Sequence, residues 1–289
     1  MEIDLTKIQK EKPINELLQF SIINIDKPSG QTSFEIDIII KEALNLTKSS
    51  HFGTLDPQVS GVLPIAINRA CRLMPYFIGS KKEYVGIMRI HNDLSIKEIE
   101  KQMKEFIGEI IQKPPLKSNV KREERLRNIY SFELIEKDEK EILFKTEVQA
   151  GTYIRKLIDD LGQKIGGAHM LELRRTRASI FEEQDSITLF DFYKAVEEYK
   201  KGNEKLLREI LIPGEIISKA LPVVYVNKES ITRLYRGSPL FKKDVINFKE
   251  KWVGEKIAVF NEQKFIGVFS VIKHASVFAQ PEFTLQPIN

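Results

Sequence analysis

The apolar and polar positions divide the chain into short strands and a few amphipathic helices. Residues 20–26 (FSIINID) read as a buried strand that ends in a Lys27-Pro28-Ser29-Gly30 turn. Thr32, with Glu35 three residues on, has the spacing of a capping box and predicts a helix reaching about Leu46. Gly53, Pro57, Gly61 and Pro64 break up residues 51–64, where the reading is a long loop with few charges. Ordered loops of that length tend to carry function. Tyr84–His91 alternates like a strand. Leu94–Ile107 reads as a helix capped by Ser95 and Glu98, with Ile96, Ile99, Met103, Phe106 and Ile107 on one face. Asn128–Ile135 and Glu141–Val148 form a predicted hairpin across residues 137–140. Thr152–Ile165 is the clearest helix: Thr152 can cap it, Ile154, Leu157, Ile158, Leu161 and Ile165 make the stripe, and Gly166-Gly167 end it. Another helix is expected over Thr188–Lys201. After Leu221-Pro222 the pattern changes to short strands (Val223–Val226, Lys256–Phe260, Phe265–Ile272), the mark of a small separate β-rich domain.

Composition narrows the class without choosing a partner. The 289 residues are 42% hydrophobic and 30% charged, as in an ordinary globular chain. Lys plus Arg total 45 against 41 Asp plus Glu, a net charge of +4 that is too mild to announce nucleic acid by itself. The single cysteine, Cys71, forbids an internal disulfide and any multi-cysteine zinc site, and fits a reducing, cytoplasmic compartment. The first twenty residues do not read as a signal peptide, and no apolar run is long enough to span a membrane.

Four stretches could carry chemistry. In His51-Phe52-Gly53-Thr54-Leu55-Asp56-Pro57, Asp56 is a carboxylate among apolar neighbours and a candidate nucleophile or base; alone, an ordinary Asp-Pro turn is the commoner explanation. In Gly151-Thr152-Tyr153-Ile154-Arg155, Arg155 sits in a helix's first turn, where the helix dipole disfavours a cation. Pairing with Asp159 would explain it weakly. Pairing with a distant carboxylate such as Asp56 would explain it better, fixing and keeping that carboxylate ionised. Tyr84, in Lys82-Glu83-Tyr84, could stack on a flat heterocycle if it faced Asp56. The fourth stretch is basic: Lys113, Lys117, Lys121, Arg122, Arg125 and Arg127 against Glu123 and Glu124, to which Arg174, Arg175 and Arg177 add a second run. One such run is ordinarily a solvated face; two flanking a candidate site point toward a phosphate-tracking groove.

Taken in order, Lys27-Pro28-Ser29-Gly30-Gln31-Thr32-Ser33, His51-x-Gly53-Thr54-Leu55-Asp56-Pro57, Lys82-Glu83-Tyr84, Gly151-Thr152-Tyr153-Ile154-Arg155 and Leu173-Arg174-Arg175-Thr176-Arg177 resemble the successive motifs of TruB-type RNA pseudouridine synthases over about residues 20–185. The short Ile90–Asp93 connection, Lys113–Arg122 and Gly167–Met170 are closer to the archaeal, dyskerin-like catalytic subunits of box H/ACA ribonucleoproteins. Two features depart from that branch: Phe52 stands at a usually small position, and Ala178-Ser179-Ile180-Phe181 replaces Ser-Gly-Pro-Phe.

The resemblance implies an α+β fold: a mixed, largely antiparallel sheet with flanking helices and a central catalytic cleft, followed by a small C-terminal β-barrel PUA domain. Domain limits are then 1–19 (a segment packing with the PUA domain), 20–215 (catalytic) and 216–289 (PUA). Asp56, in a dry pocket, is implied as the catalytic carboxylate, Tyr84 as the residue stacking on the base and Arg155 as the partner of Asp56. His51 and Leu173 would meet a base flipped out of the RNA. Lys113, Lys117, Lys121, Arg122, Arg125, Arg174, Arg175, Arg177 and Arg236 would hold RNA phosphates. No cofactor or metal is implied. The implied partners are a guide RNA, substrate rRNA or tRNA, and small accessory proteins. Three functions remain open: a guided rRNA enzyme, a stand-alone tRNA enzyme acting on the T-loop uridine, and a catalytically silent RNA-binding scaffold.

Overall fold

The structure is a computed structural model that describes residues 2–113, 121, 123–247 and 253–287. Lys117 and Arg122 lie outside them. Helices α1 (Leu5–Glu11) and α2 (Ile14–Gln19) lead into β1 (Phe20–Lys27), α3 (Ser33–Ala43), β2 (Ser49–His51) and β3 (Ser60–Asn68). A short helical stretch through α4 (Met74–Phe77) connects to β4 (Lys82–Ile90), α5 (Ile96–Lys104), β5 (Gly108–Gln112), β6 (Arg125–Asp138) and β7 (Glu141–Val148). Then come α6 (Ile154–Ile165), β8 (Ala168–Ala178), β9 (Phe181–Glu182), α7 (Leu189–Lys200), α8 (Lys205–Ile210) and β10 (Ile212–Pro213). These strands form one sheet in the order β10-β1-β3-β8-β4-β7-β6-β5, with β2 on β3 and β9 on β8. Every pairing is antiparallel except β3 with β8, which are parallel over only two residue pairs, Ser60 with Arg174 and Gly61 with Arg175. That joint splits the sheet into two halves, and the candidate site residues gather beside it.

The C-terminal unit contains β11 (Val223–Tyr225), α9 (Ile231–Tyr235), β12 (Leu240–Phe241), β13 (Lys256–Asn261), β14 (Lys264–Val271) and β15 (Val277–Thr284). Its strands form a five-stranded sheet, β11-β13-β14-β15-β12. Residues 2–12 tie this unit to the first. The Asp4 N–H donates to Gln263, Gln263 donates to the Glu2 carbonyl, and Lys12 pairs with Glu215 at 2.7 Å.

Both capping boxes form, at Thr32/Glu35 and Ser95/Glu98. Several expectations need correction. Residues 60–64 belong to β3, not to a loop. Pro64 is tolerated because its carbonyl accepts from Phe52 N–H (2.9 Å), so its missing N–H falls in the gap between β2 and β8. In α5, Ile99 and Met103 are buried, but Ile96 at its first position is half exposed, and the helix stops at Lys104, before Ile107, which is also half exposed. Thr152 does not cap α6; its hydroxyl bonds back to Gln149. The buried amide of Gln112 instead accepts from Tyr153 N–H and donates to the Tyr153 carbonyl. Finally, residues 168–178 form a full strand, β8, where no strand was anticipated.

Candidate active site

The loop between β2 and β3 is tethered on nearly every side by the motif that follows β1. Lys27 is fully buried, and its ammonium donates to the carbonyls of Pro28 (2.7 Å), Gln31 (2.7 Å) and Pro57 (3.0 Å). Gly30, at φ 104°, gives its N–H to the same Pro57 carbonyl, and Ser29 donates to that of Gln58. Ser33 accepts from Leu55 N–H (2.8 Å) and donates to the Leu55 carbonyl (3.1 Å). Burial and the nearby Arg175 charge pull Lys27 below the usual lysine range, against the opposing pull of Asp56 and Glu35. Leu55 and Val59 point into the core, which leaves the Asp56 carboxylate facing out of a fixed backbone.

Asp56 forms an ion pair with Arg155 from the first turn of α6, ninety-nine residues away. The pair is open: the Asp56 side chain is 50% exposed and that of Arg155 55%. The dry pocket is therefore replaced by an open cleft, whose shielding has to come from whatever docks there. Tyr84 lies in the same buried cluster as Leu55, Ile154 and Leu173, opposite Arg175 of β8. Leu173 pairs across the strands with Gly86, where a Cβ would sit 3.0 Å from the leucine side chain. His51 is held at both ring nitrogens. One ring nitrogen contacts Asp37 at 2.6 Å and the other contacts Thr54 at 2.9 Å.

The second basic run divides in two. A register shift between Glu83 and Tyr84 sets Arg177 opposite Glu83 but Arg175 opposite Tyr84. Arg175 turns inward and is 1% exposed, so it cannot meet a phosphate on the surface. It donates instead to the carbonyls of Val62 (2.8 Å) and Gly53 (3.0 Å). Arg174 pairs with Asp26 and Glu183, and Arg177 with Glu147 and Glu83. These two are partly exposed but already neutralised. Lys113 and Arg236 are exposed, Lys121 pairs with Glu123, and Arg125 donates to the Lys121 carbonyl at 3.4 Å.

Sequence reasoning missed Lys82. It is buried at the start of β4, with its ammonium donating to the carbonyls of Phe77, Ile78 and Ser80, and burial with the neighbouring Arg175 charge pulls it down to about 7. Its position within an alternating strand was the available signal. Phe52 packs inward, stacked on Phe77 at 5.1 Å and tilted against Phe181. Ser179 adopts φ 61°, the conformation a glycine would hold at ease in the Ser-Gly-Pro-Phe pattern. Among the described residues no group of three or more His, Cys, Asp or Glu could hold a metal ion, and no helix is long and apolar enough to cross a membrane.

Comparison with known proteins gives a consistent family. Residues 41–154 match the family described as TruB family pseudouridylate synthase (N terminal domain), and residues 155–218 match the tRNA pseudouridylate synthase B C-terminal domain. A "probable tRNA pseudouridine synthase B" from Methanocaldococcus jannaschii is 41% identical over 254 residues, covering 87% of this chain and 75% of that protein. One of the same name from Pyrococcus horikoshii is 45% identical over 233 residues, covering 80% and 70%. Among solved structures, a chain of a Cbf5-Nop10-Gar1 complex superposes with TM-score 0.89 at 37% identity, over 96% of this chain and 89% of that one. A chain of an H/ACA ribonucleoprotein bound to a substrate RNA containing 2′-deoxyuridine gives 0.87 at 34% identity, over 96% and 89%.

Proposed function

Because the chain belongs to the TruB family of pseudouridine synthases, we propose that it isomerises specific uridines in rRNA under the direction of a box H/ACA guide RNA, together with small accessory proteins. One observation carries this reading. The match to the Cbf5 chain covers 96% of the residues and so extends past residue 218, where the family matches stop, into the C-terminal sheet. That sheet is then a PUA domain for the guide, with residues 1–19 packed between it and the catalytic domain. A chain of this kind works in the cytoplasm.

The reaction breaks the bond between C1′ and N1, turns the base, and joins C1′ to C5. A proton leaves C5 and one is gained at N1. Atoms and electrons balance, so the isomerisation calls for no redox partner. Asp56 is the reacting carboxylate, at the sugar or at the base. Arg155 holds its orientation, which is where positioned groups gain most of their advantage. Tyr84 meets the base, Leu173 lines its pocket, and His51 fixes the edge of the loop beside it. Exposed Lys113 and Arg236 and partly buried Arg125 are the expected cations left for phosphates, with Lys117 and Arg122 outside the described residues.

The names of the curated relatives favour a second reading, action on tRNA by the protein alone. Release of tritium from [5-³H]uridine separates the two. An rRNA fragment with guide and accessory proteins should be converted, and a tRNA transcript with the protein alone should not. Conversion of tRNA without guide would transfer the assignment to the second reading. No release from either RNA would leave a scaffold.

A further inference from the structure

Arg175 is a buried cation without a carboxylate partner. Its guanidinium reaches two acceptors on two separate elements, the Val62 carbonyl in β3 and the Gly53 carbonyl at the head of the Asp56 loop, and its backbone lies opposite Tyr84 of β4. The fork of five donors makes this span possible, and a lysine could not reproduce it. Burying an arginine to bond carbonyls is an expensive way to fill a core, and an apolar side chain would fill it more cheaply.

The contacts are specific in what they join. Gly53 and Val62 bracket the loop that carries Asp56. The backbone of Arg175 itself pairs with Gly61 at the parallel joint of the sheet. Tyr84 is the cross-strand neighbour of Arg175 on β4, so the strand that carries the phenol is registered against the same residue. Resting on the functional reading above, we propose that Arg175 is a positioning residue for the isomerisation: it locks the Asp56 loop to β8 at the point where β8 pairs with Gly61 of β3 and Tyr84 of β4, and so fixes the loop relative to Tyr84.

The test compares the full-length wild type with Arg175→Lys, Arg175→Gln, Tyr84→Phe and the Tyr84→Phe/Arg175→Lys double variant. Each is assayed for folding by calorimetry, for RNA affinity, and for single-turnover tritium release at saturating RNA. Arg175→Lys should remain folded and bind RNA as the wild type does, with a rate about 100-fold lower. In the Tyr84→Phe background the same change should reduce the rate by a much smaller factor, because the two residues act as one unit. A folded Arg175→Lys or Arg175→Gln with wild-type turnover overturns the proposal. So does a loss confined to RNA affinity, or full additivity in the double variant. Should neither variant fold, Arg175 is a residue of the fold alone and the proposal fails. A wild type inactive on both rRNA and tRNA overturns the functional reading instead, and the positioning role with it.

Discussion

Arg155→Ala should separate catalysis from stability in a way the geometry dictates. Both partners of the Asp56–Arg155 pair are about half exposed, and ion pairs of that kind contribute about 0–1 kcal/mol to folding. Arg155 also places a cation in the first turn of α6, where the helix dipole opposes it by roughly 0.3–1 kcal/mol, and alanine is the better helix former. The terms nearly cancel, so the melting temperature should move by no more than about 2 °C. Catalysis should respond very differently. Without Arg155, the Asp56 carboxylate keeps its tethered backbone but loses its orientation, and a displacement of about 1 Å is worth roughly 100-fold in rate. That corresponds to about 2.7 kcal/mol in the barrier. Calorimetry, RNA affinity and single-turnover tritium release measure the three quantities. The reasoning is wrong if the variant melts more than about 5 °C lower with activity falling in proportion. It is equally wrong if only RNA affinity drops while the saturated rate survives.

Two further predictions concern the frame around the site. In Gly61→Ala the new Cβ would sit 2.2 Å from the Arg175 carbonyl oxygen at φ +103°, whereas in Gly30→Ala, at φ +104°, it would meet nothing within 4 Å. Denaturant melts should therefore show a loss of about 1 kcal/mol for Gly30→Ala and at least about 3 kcal/mol for Gly61→Ala; equal losses would contradict the close-approach argument. Lys82 keeps its proton up to about 10.5 when unfolded but releases it at about 7 when folded. Between those values the unfolded chain binds the extra proton, so stability should rise with pH across that window. Comparing the wild type with Lys82→Met by denaturant titration from pH 7 to 10 isolates the slope, which should be present in the first and missing in the second.

What the sequence revealed and what it hid follow from the range of the interactions. The boxes at Thr32/Glu35 and Ser95/Glu98 were legible because both partners lie within one helical turn. The alternation of β4 was legible because one of its faces is buried throughout. Thr152 misled because the N-cap of α6 falls one residue later, at Tyr153, whose backbone is held by Gln112, forty-one residues back. The strand β8 stayed hidden because charged residues lie on both its faces, and nothing local distinguishes Arg175 from Arg174 and Arg177. Their partners, Asp26, Glu83, Glu147 and Glu183, arrive from β1, β4, β7 and the turn after β9. The placement of Arg155 against the helix dipole, by contrast, was a local anomaly that pointed outward, and Asp56 answers it.

The frame around Asp56 has an electrostatic logic of its own. Lys27, Lys82 and Arg175 are all buried, and the hydrogen-bond acceptors found for them are backbone carbonyls. A carboxylate is the ordinary partner for a buried cation and would have lowered the penalty of burial. Beside this loop it would also have placed a second negative charge next to Asp56 and competed with it for Arg155. Carbonyl dipoles hold the same cations without adding net negative charge. Lys27 and Arg175 can therefore fix the loop from below while Asp56 keeps Arg155 as its own counter-ion. The geometry is set before any RNA arrives, which is the condition under which a positioned charge is most effective in a reaction. Replacing one of those carbonyl contacts with an acidic side chain, however well it packed, would work against the Asp56–Arg155 ion pair.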